Sequence, residues 1–295
     1  MTKNNLDSKE GILYLEKGEF ELAKKYYSNL LDSDPENSYF QFGFIISSYW
    51  DNRIERISNQ SPNLELGDLL LNLREEFFQY LNEKNLKHIP ELLNPLMDSV
   101  LEETMSHLLR SERDKGGNEE KITRVLFYQK KWDPFLKALH RLPTQGNVWN
   151  FYEGEALLQL GKIDSGMDSY IQAFWECPEK ADFSIIQNQY LSTAVAEVLE
   201  KYPDPEKAKA FFPVYCFANQ FWKSSKSKLE QDSISDWASE LDSISQKRKH
   251  THEKNRFSLG CRVLQAAFRI LEFHDTRENQ VWKKEAKETI QSLEL

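Results

Sequence analysis

GILYLEKGEFELAKKYYSNLLDSDPEN, residues Gly11 to Asn37, reads as two short helices joined by a tight turn at Gly18 and stopped at Pro35. Phe20, Ala23, Tyr26, Tyr27, Leu30 and Leu31 recur at three- and four-residue spacing, the apolar stripe of an amphipathic helix. Gly18 suits a left-handed helix end that tolerates no Cβ, and Pro35 cannot continue a helix. An ungapped echo returns at GEALLQLGKIDSGMDSYIQAFWECPEK, Gly154 to Lys180. Gly11, Leu15, Gly18, Tyr27, Pro35 and Glu36 recur there as Gly154, Leu158, Gly161, Tyr170, Pro178 and Glu179, and Ala23 recurs as Gly166. A helical hairpin that recurs within one chain points to an α-solenoid, whose units bury together faces that none could bury alone.

The composition of the 295 residues agrees with an all-α chain. Eleven Gly and ten Pro leave room for long helices with short joints, and 40% hydrophobic residues can fill a continuous core. Charged residues at 29% and a mean hydropathy of -0.66 indicate a well-hydrated surface. The net charge of -9 disfavours nonspecific binding to nucleic acid or anionic lipid by the chain as a whole, and leaves room for a local basic patch. MTKNNLDSKEG has no signal-peptide pattern, and no run approaches the ~18 apolar residues of a membrane span. Cys177, Cys216 and Cys261 are odd in number and widely spaced, which fits neither a zinc site nor a disulfide framework. The expectation is a cytoplasmic protein without membrane insertion.

In the first stretch the chain resembles the tetratricopeptide repeat family. Gly11, Tyr14, Gly18, Phe20, Ala23, Tyr27 and Pro35 occupy positions matching that family's ~34-residue unit. Asp7 and Glu10 depart from it, standing where the family prefers a large aromatic and a Leu. Asn147 to Lys180 forms the second clear unit, with Gly154 and Gly166 as the close-contact pair of its two helices. The resemblance implies a right-handed superhelix of antiparallel hairpins whose concave face, lined by each first helix, takes a peptide or a partner's helix. Carried over position by position, that face holds Lys9, Ile12, Leu15 and Glu16 in the first unit. In the second it holds Phe151, Tyr152, Glu155, Leu158 and Gln159. The alternative for these side chains is packing against neighbouring helices.

Elsewhere the helices are less regular. Asp7 to Glu10 and Asp275 with Glu278 read as capping boxes, and Ser61-Pro62 as a helix start. SYFQFGFIISSYW, from Ser38, is aromatic around most of its circumference, as a helix covered on both sides would be. Pro95 predicts a kink or a restart and Pro213 a kink, and a hinge is expected near Trp132-Asp133-Pro134. Asp182 to Tyr202 reads as one longer helix, and 224–235 as a loop. The loop 114–118 and the Ser/Lys-rich stretch after 223 suggest three parts, 1–113, 114–223 and 224–295.

No Gly-rich phosphate loop, nucleophile elbow or HExxH occurs. His88, His107, His140 and His274 are dispersed, and the Glu-Glu pairs read as helix-surface charge. Lys247-Arg248-Lys249-His250-Thr251-His252 is the one compact basic cluster, with no aromatic interleaved in sequence, and it reads first as a solvated loop. His250 and His252 lack a third ligand, so no metal is expected, nor any cofactor. The expected function is a non-catalytic protein- or peptide-binding scaffold. The alternative is a helical regulator that binds nucleic acid or a phosphorylated ligand through residues 247–252. An unrecognised helical enzyme would need several polar residues converging on one closed pocket. The sequence sets no oligomeric state.

Overall fold

A computed structural model describes residues 4–58, 66–86, 88–115, 117–143, 146–225, 228–229, 232–277 and 279–293. Those residues are helical with no strand among them. The chain divides into two compact units, Met1–Lys131 and Trp132–Leu295.

The first unit holds α1 (Asn4–Glu16), α2 (Phe20–Ser33), α3 (Ser38–Ser58), α4 (Leu66–Glu83), α5 (Pro90–Lys115) and α6 (Glu119–Tyr128). Gly18 has a φ of 68°, and its N–H reaches the Leu15 carbonyl while the Glu19 N–H reaches that of Tyr14. That pair of bonds satisfies the last carbonyls of α1 and turns the chain directly into α2. Tyr27 then lies between α1 and α3: a Cβ added at Gly11 would meet its ring at 2.5 Å, and one at Gly43 at 2.7 Å. Ala23 is fully buried for the same reason, that a larger side chain would push the helices apart. Asn37 caps α3, its Oδ1 accepting from the Tyr39 and Phe40 N–H groups at 3.1 and 3.4 Å. The aromatic run of α3 is core: Phe40, Phe42, Tyr49 and Trp50 are buried, and Tyr49 and Trp50 pack on Phe77 of α4 at 4.9 and 5.6 Å between ring centroids. Helix α5 packs back on both α4 and α1, so α1 is covered by a helix four elements further along the chain. A smaller cluster of Leu71, Leu101, Leu108 and Val125 ties α6 to α4 and α5, which places 119–128 with the N-terminal unit.

The second unit holds α7 (Trp132–Leu139), α8 (Trp149–Gln159) and α9 (Ile163–Glu176), then two 3-10 turns (Pro178–Lys180 and Phe183–Ile185). After these come α10 (Gln189–Lys201), α11 (Pro205–Ala218), α12 (Ile234–Lys249), α13 (Glu253–Glu272) and α14 (Asn279–Ser292). Gly161 (φ 74°) closes α8 as Gly18 closes α1, with the Gly161 and Lys162 N–H groups on the Leu158 and Leu157 carbonyls. At its centre Phe174 contacts Phe151, Phe212 and Trp222, with centroids 4.9, 5.0 and 5.4 Å away. A second core, of Leu241, Ile244, Val263, Ala266, Ala267, Ile270 and Ala286, joins α12, α13 and α14.

Several local expectations are corrected. Helix α1 begins at Asn4, a turn before Asp7, so 7–10 lie inside it and form no capping box. At α14 the cap is Thr276, whose Oγ1 accepts from the Asn279 N–H at 3.2 Å, while Asp275 pairs with Lys283 at 2.8 Å. Ser61-Pro62 and Glu278 lie outside the described residues. Pro95 does not restart a helix, since α5 runs through it, and Pro213 likewise lies inside continuous α11. The turn expected near Trp132 falls at Gln129–Lys131, where Lys130 takes a φ of 56°. The helix expected from Asp182 begins at Gln189 instead, because the Asn188 carboxamide accepts from the Tyr190 and Leu191 N–H groups and fixes its start there.

Candidate functional site

The two recurring hairpins differ where their equivalent tyrosines end. In the second, the α8 and α9 backbones touch: a Cβ at Gly154 would lie 3.0 Å from the Gly166 carbonyl, and one at Gly166 2.9 Å from the Gly154 carbonyl. The Tyr170 hydroxyl donates to Glu155 Oε2 at 2.8 Å, and the Gln159 amide donates to Oε1 at 2.7 Å. Glu155 is fully buried, so these two donors replace its water. Burial, reinforced by the Glu155 carboxylate, holds the Tyr170 phenol well above its usual range. In the first hairpin Ile12 takes the place of Glu155, and the buried Tyr27 hydroxyl has no hydrogen-bond partner. Burial pushes that phenol up as well.

This geometry divides the expected partner-binding residues. Phe151 and Glu155 are not on an open face: Phe151 is buried edge-on against Phe174, and Glu155 is spent on Tyr170 and Gln159. Leu15 and Leu158 are core, with Leu158 against Gly166. Tyr152 is half-buried beside Trp149 and Ile12 half-buried against the first unit's core. Lys9, Glu16 and Gln159 are exposed. Tyr14 donates to Glu10 at 2.8 Å, and Pro35 is exposed at the end of its hairpin.

On the first unit an open hollow of about 860 Å³ lies along α2 and α3, lined by Gly18, Phe20, Leu22, Lys24, Lys25 and Asp51 among others. Leu22 is 46% exposed there, and Lys24 bridges to Asp51 at 2.9 Å across the floor.

The second unit contains a polar clasp that joins residues far apart in sequence. Arg269 on α13, 2% exposed, reaches Asp232 at 2.8 Å and Glu272 at 3.0 Å. Glu272 also accepts from the Ser224 N–H and hydroxyl, and Asp168 on α9 accepts from the N–H and hydroxyl of Ser225. Trp237 stands T-shaped on Trp175 at 4.7 Å and donates its indole N–H to Asp232 at 3.2 Å. A cavity of about 140 Å³ remains between Asp168, Gln172, Trp175, Lys228, Asp232 and Arg269. Asp168, Asp232 and Glu272 each already accept from a serine or pair with a cation, so the group is arranged to hold the segment after α11 rather than to exchange protons with a ligand. Sequence reading missed the clasp because the hydrogen bonds that draw its parts together span 37 to 57 residues, although Arg269 to Glu272 and Trp237 to Asp232 are local. One signal was present: Arg269 sits on the apolar face of α13 next to Ala266, Ala267 and Ile270.

Other reactive groups are similarly engaged. Glu153 lies between His140 (3.0 Å) and Ser169 (3.4 Å), an order in which the imidazole does not meet the hydroxyl it would have to activate. Cys177, Cys216 and Cys261 are buried, and burial raises all three thiols, Cys261 to about 12, which keeps them protonated and poor nucleophiles. Among the described residues no three His, Cys, Asp or Glu side chains gather as a metal site, and no helix is long and apolar enough to cross a membrane.

Set against protein-family models, curated proteins and solved structures, the chain matches none of them.

Proposed function

We propose that this chain is a non-catalytic protein- or peptide-binding scaffold built from tetratricopeptide-like hairpins, acting in the cytoplasm. The observation that carries the reading is the open hollow on α2 and α3, where Leu22 offers an exposed apolar contact within a charged rim. Apolar anchors ringed by polar groups are the usual composition of a protein-binding patch. The tight approaches of Gly11 to Tyr27 and of Gly154 to Gly166 support the resemblance of both hairpins to that family. The engaged state of Glu155, Asp168, Glu272 and the thiols favours binding over chemistry. Lys9 and Glu16 on the first unit and Gln159 on the second are exposed, and each is tested by itself below.

A photo-crosslinking amino acid placed singly at Leu22, Glu16 and Gln159, with Lys284 on α14 as the control, tests this in native lysate. Leu22 is expected to yield a discrete crosslinked partner that the control lacks. Identical crosslinking at all four positions would overturn the assignment.

A further inference from the structure

Between Asp242 and Glu272 the sequence sets Lys247, Arg248, Lys249, Lys254, Arg256, Arg262 and Arg269 against the single carboxylate of Glu253, in a chain of net charge -9. Arg269 belongs to the clasp, and Arg262 pairs with Glu240 and lies over Trp175. The others gather around the turn from α12 to α13. Lys247, Arg248 and Lys249 in the last turn of α12 offset the negative end of that helix's dipole, a sufficient structural reason for them. Arg256 in the first turn of α13 faces the positive end of its helix's dipole, where cations are disfavoured. Helix stability therefore does not account for Arg256.

Folding supplies the aromatic neighbours that the linear sequence lacks. Phe257 of α13 packs at 5.2 Å against Tyr202, which follows α10, and both rings are half-buried. Lys207 of α11 holds its ammonium 5.9 Å from the Phe257 centroid, and Lys201 lies 5.4 Å from Tyr202 and 4.6 Å from Phe211. Arg248 donates its Nε–H to the Arg256 carbonyl at 3.4 Å, and Phe257 is the next residue, so the basic turn and the rings form one neighbourhood. Exposed Lys201, Lys207, Lys247, Lys249 and Arg256 border it.

From this juxtaposition we infer that the α12–α13 turn with Tyr202 and Phe257 is a binding face for single-stranded nucleic acid. Lysines supply phosphate contacts without a bidentate base-reading geometry, and half-buried rings offer unpaired bases a surface to stack on. An acidic peptide would use the cations and leave the rings idle, and a duplex hides its base faces. Phosphate contact and stacking do not read the 2′-hydroxyl, so DNA and RNA bind alike. This face is distinct from the hollow of the first unit, and the two assignments stand or fall separately.

The test is fluorescence anisotropy on the full chain with fluorescein-labelled 15-mers of oligo-dT and oligo-U, and a labelled 15-residue polyglutamate, at 50 to 200 mM salt. Both oligonucleotides are expected to bind within about threefold of each other, weakening steeply with salt, while polyglutamate binds at least tenfold less tightly. Replacing Lys247, Lys249 and Arg256 together with Ala is expected to reduce the log–log salt slope by about 2, at ~0.7 per phosphate contact on a single strand, and to weaken binding about 30-fold or more. Phe257→Leu keeps an apolar side chain but removes the ring, and is expected to cost about tenfold for oligonucleotides with an unchanged salt slope. Circular dichroism melts establish that both variants are folded. No anisotropy change up to 100 µM protein at 50 mM salt would overturn the proposal, as would polyglutamate binding as tightly as oligo-dT or a triple variant that binds like the parent.

Discussion

Removing one hydroxyl from each hairpin should cost stability in the second and none in the first, although Tyr27 and Tyr170 occupy equivalent places in the two hairpins. Tyr170→Phe takes from the fully buried Glu155 carboxylate one of its two hydrogen-bond donors, leaving only the Gln159 amide. A hydrogen bond to a charged group is worth about 1.5–3 kcal/mol, and an abandoned buried charge adds to the loss, so a cost of about 2–3 kcal/mol is expected. Tyr27→Phe deletes a buried hydroxyl that has no partner, and its ring still fills the space between Gly11 and Gly43. Shedding an unsatisfied polar group is expected to be neutral or to stabilise by up to about 1 kcal/mol. Because the chain has two compact units, a single global melt would mix their transitions. Native-state hydrogen exchange read separately over α1–α2 and α8–α9 avoids that mixing. Faster exchange is expected in α8–α9 for Tyr170→Phe, with slowed or unchanged exchange in α1–α2 for Tyr27→Phe. Equal losses in the two variants, or a silent Tyr170→Phe, would refute the view that the Glu155 bond separates the two hairpins.

Gly154→Ala should destabilise by about 2 kcal/mol in urea titration despite its better helix propensity, because the new Cβ meets the Gly166 carbonyl at 3.0 Å, and backbone cannot step aside. Arg269→Ala should cost about 3–5 kcal/mol by leaving Asp232 and Glu272 without their shared cation, and proteolysis should then cut first in the segment after α11. Lys130→Gly should raise stability by about 1 kcal/mol, since Lys130 now pays for a φ of 56° that glycine adopts without strain. Cys261 is raised from 9.0 to about 12, so between those pH values the unfolded state loses its thiol proton while the folded state keeps it. The stability from this thiol is therefore complete below about pH 9 and falls by about 1.4 kcal/mol per unit as pH rises toward 12. Alkaline denaturation of a Cys261→Ala variant against the parent, with a shallower pH dependence for the variant, checks it.

How much was legible depended on whether the cause was local. Gly18 and Gly161 announced their turns because a left-handed residue and two short backbone bonds decide such a helix end within six residues. The same turn recurs at Asn85, Lys130 and Gln220 without glycine: Asn is a residue type that tolerates this conformation, while nothing in the Lys130 or Gln220 side chain marks the strain it accepts. The burial of the α3 aromatics followed from their spread around the whole helix. Glu155 shows the limit: a carboxylate at an inward position reads as exposed and partner-facing until Tyr170, fifteen residues on, is seen to receive it. The clasp lay further out of reach, because Asp168, Ser225 and Arg269 become neighbours only after α11, α12 and α13 have packed.

The covering of α1 bears on where a partner can bind. In an open array of hairpins the first helix of each unit is left for a ligand, but here α5 packs on α1, and a Cβ at Gly18 would already meet Ser99 of α5 at 3.0 Å. That contact takes Leu15 and part of Ile12 into the core and leaves Lys9 and Glu16 as isolated polar groups at the surface. Two separated charged side chains give modest, salt-screened attraction and little apolar area to bury. Helix α2 has the opposite balance: its inner face is held by Phe20, Ala23 and Tyr27, while Leu22 points outward over the hollow beside Lys24 and Lys25. Burying the exposed part of one leucine contributes on the order of 1 kcal/mol, enough for an anchor though not for a whole interface. On the proposed reading, the partner's anchor on this unit is therefore the second helix of the hairpin, and Leu22→Asp should weaken the crosslinked partner where Lys9→Glu does not.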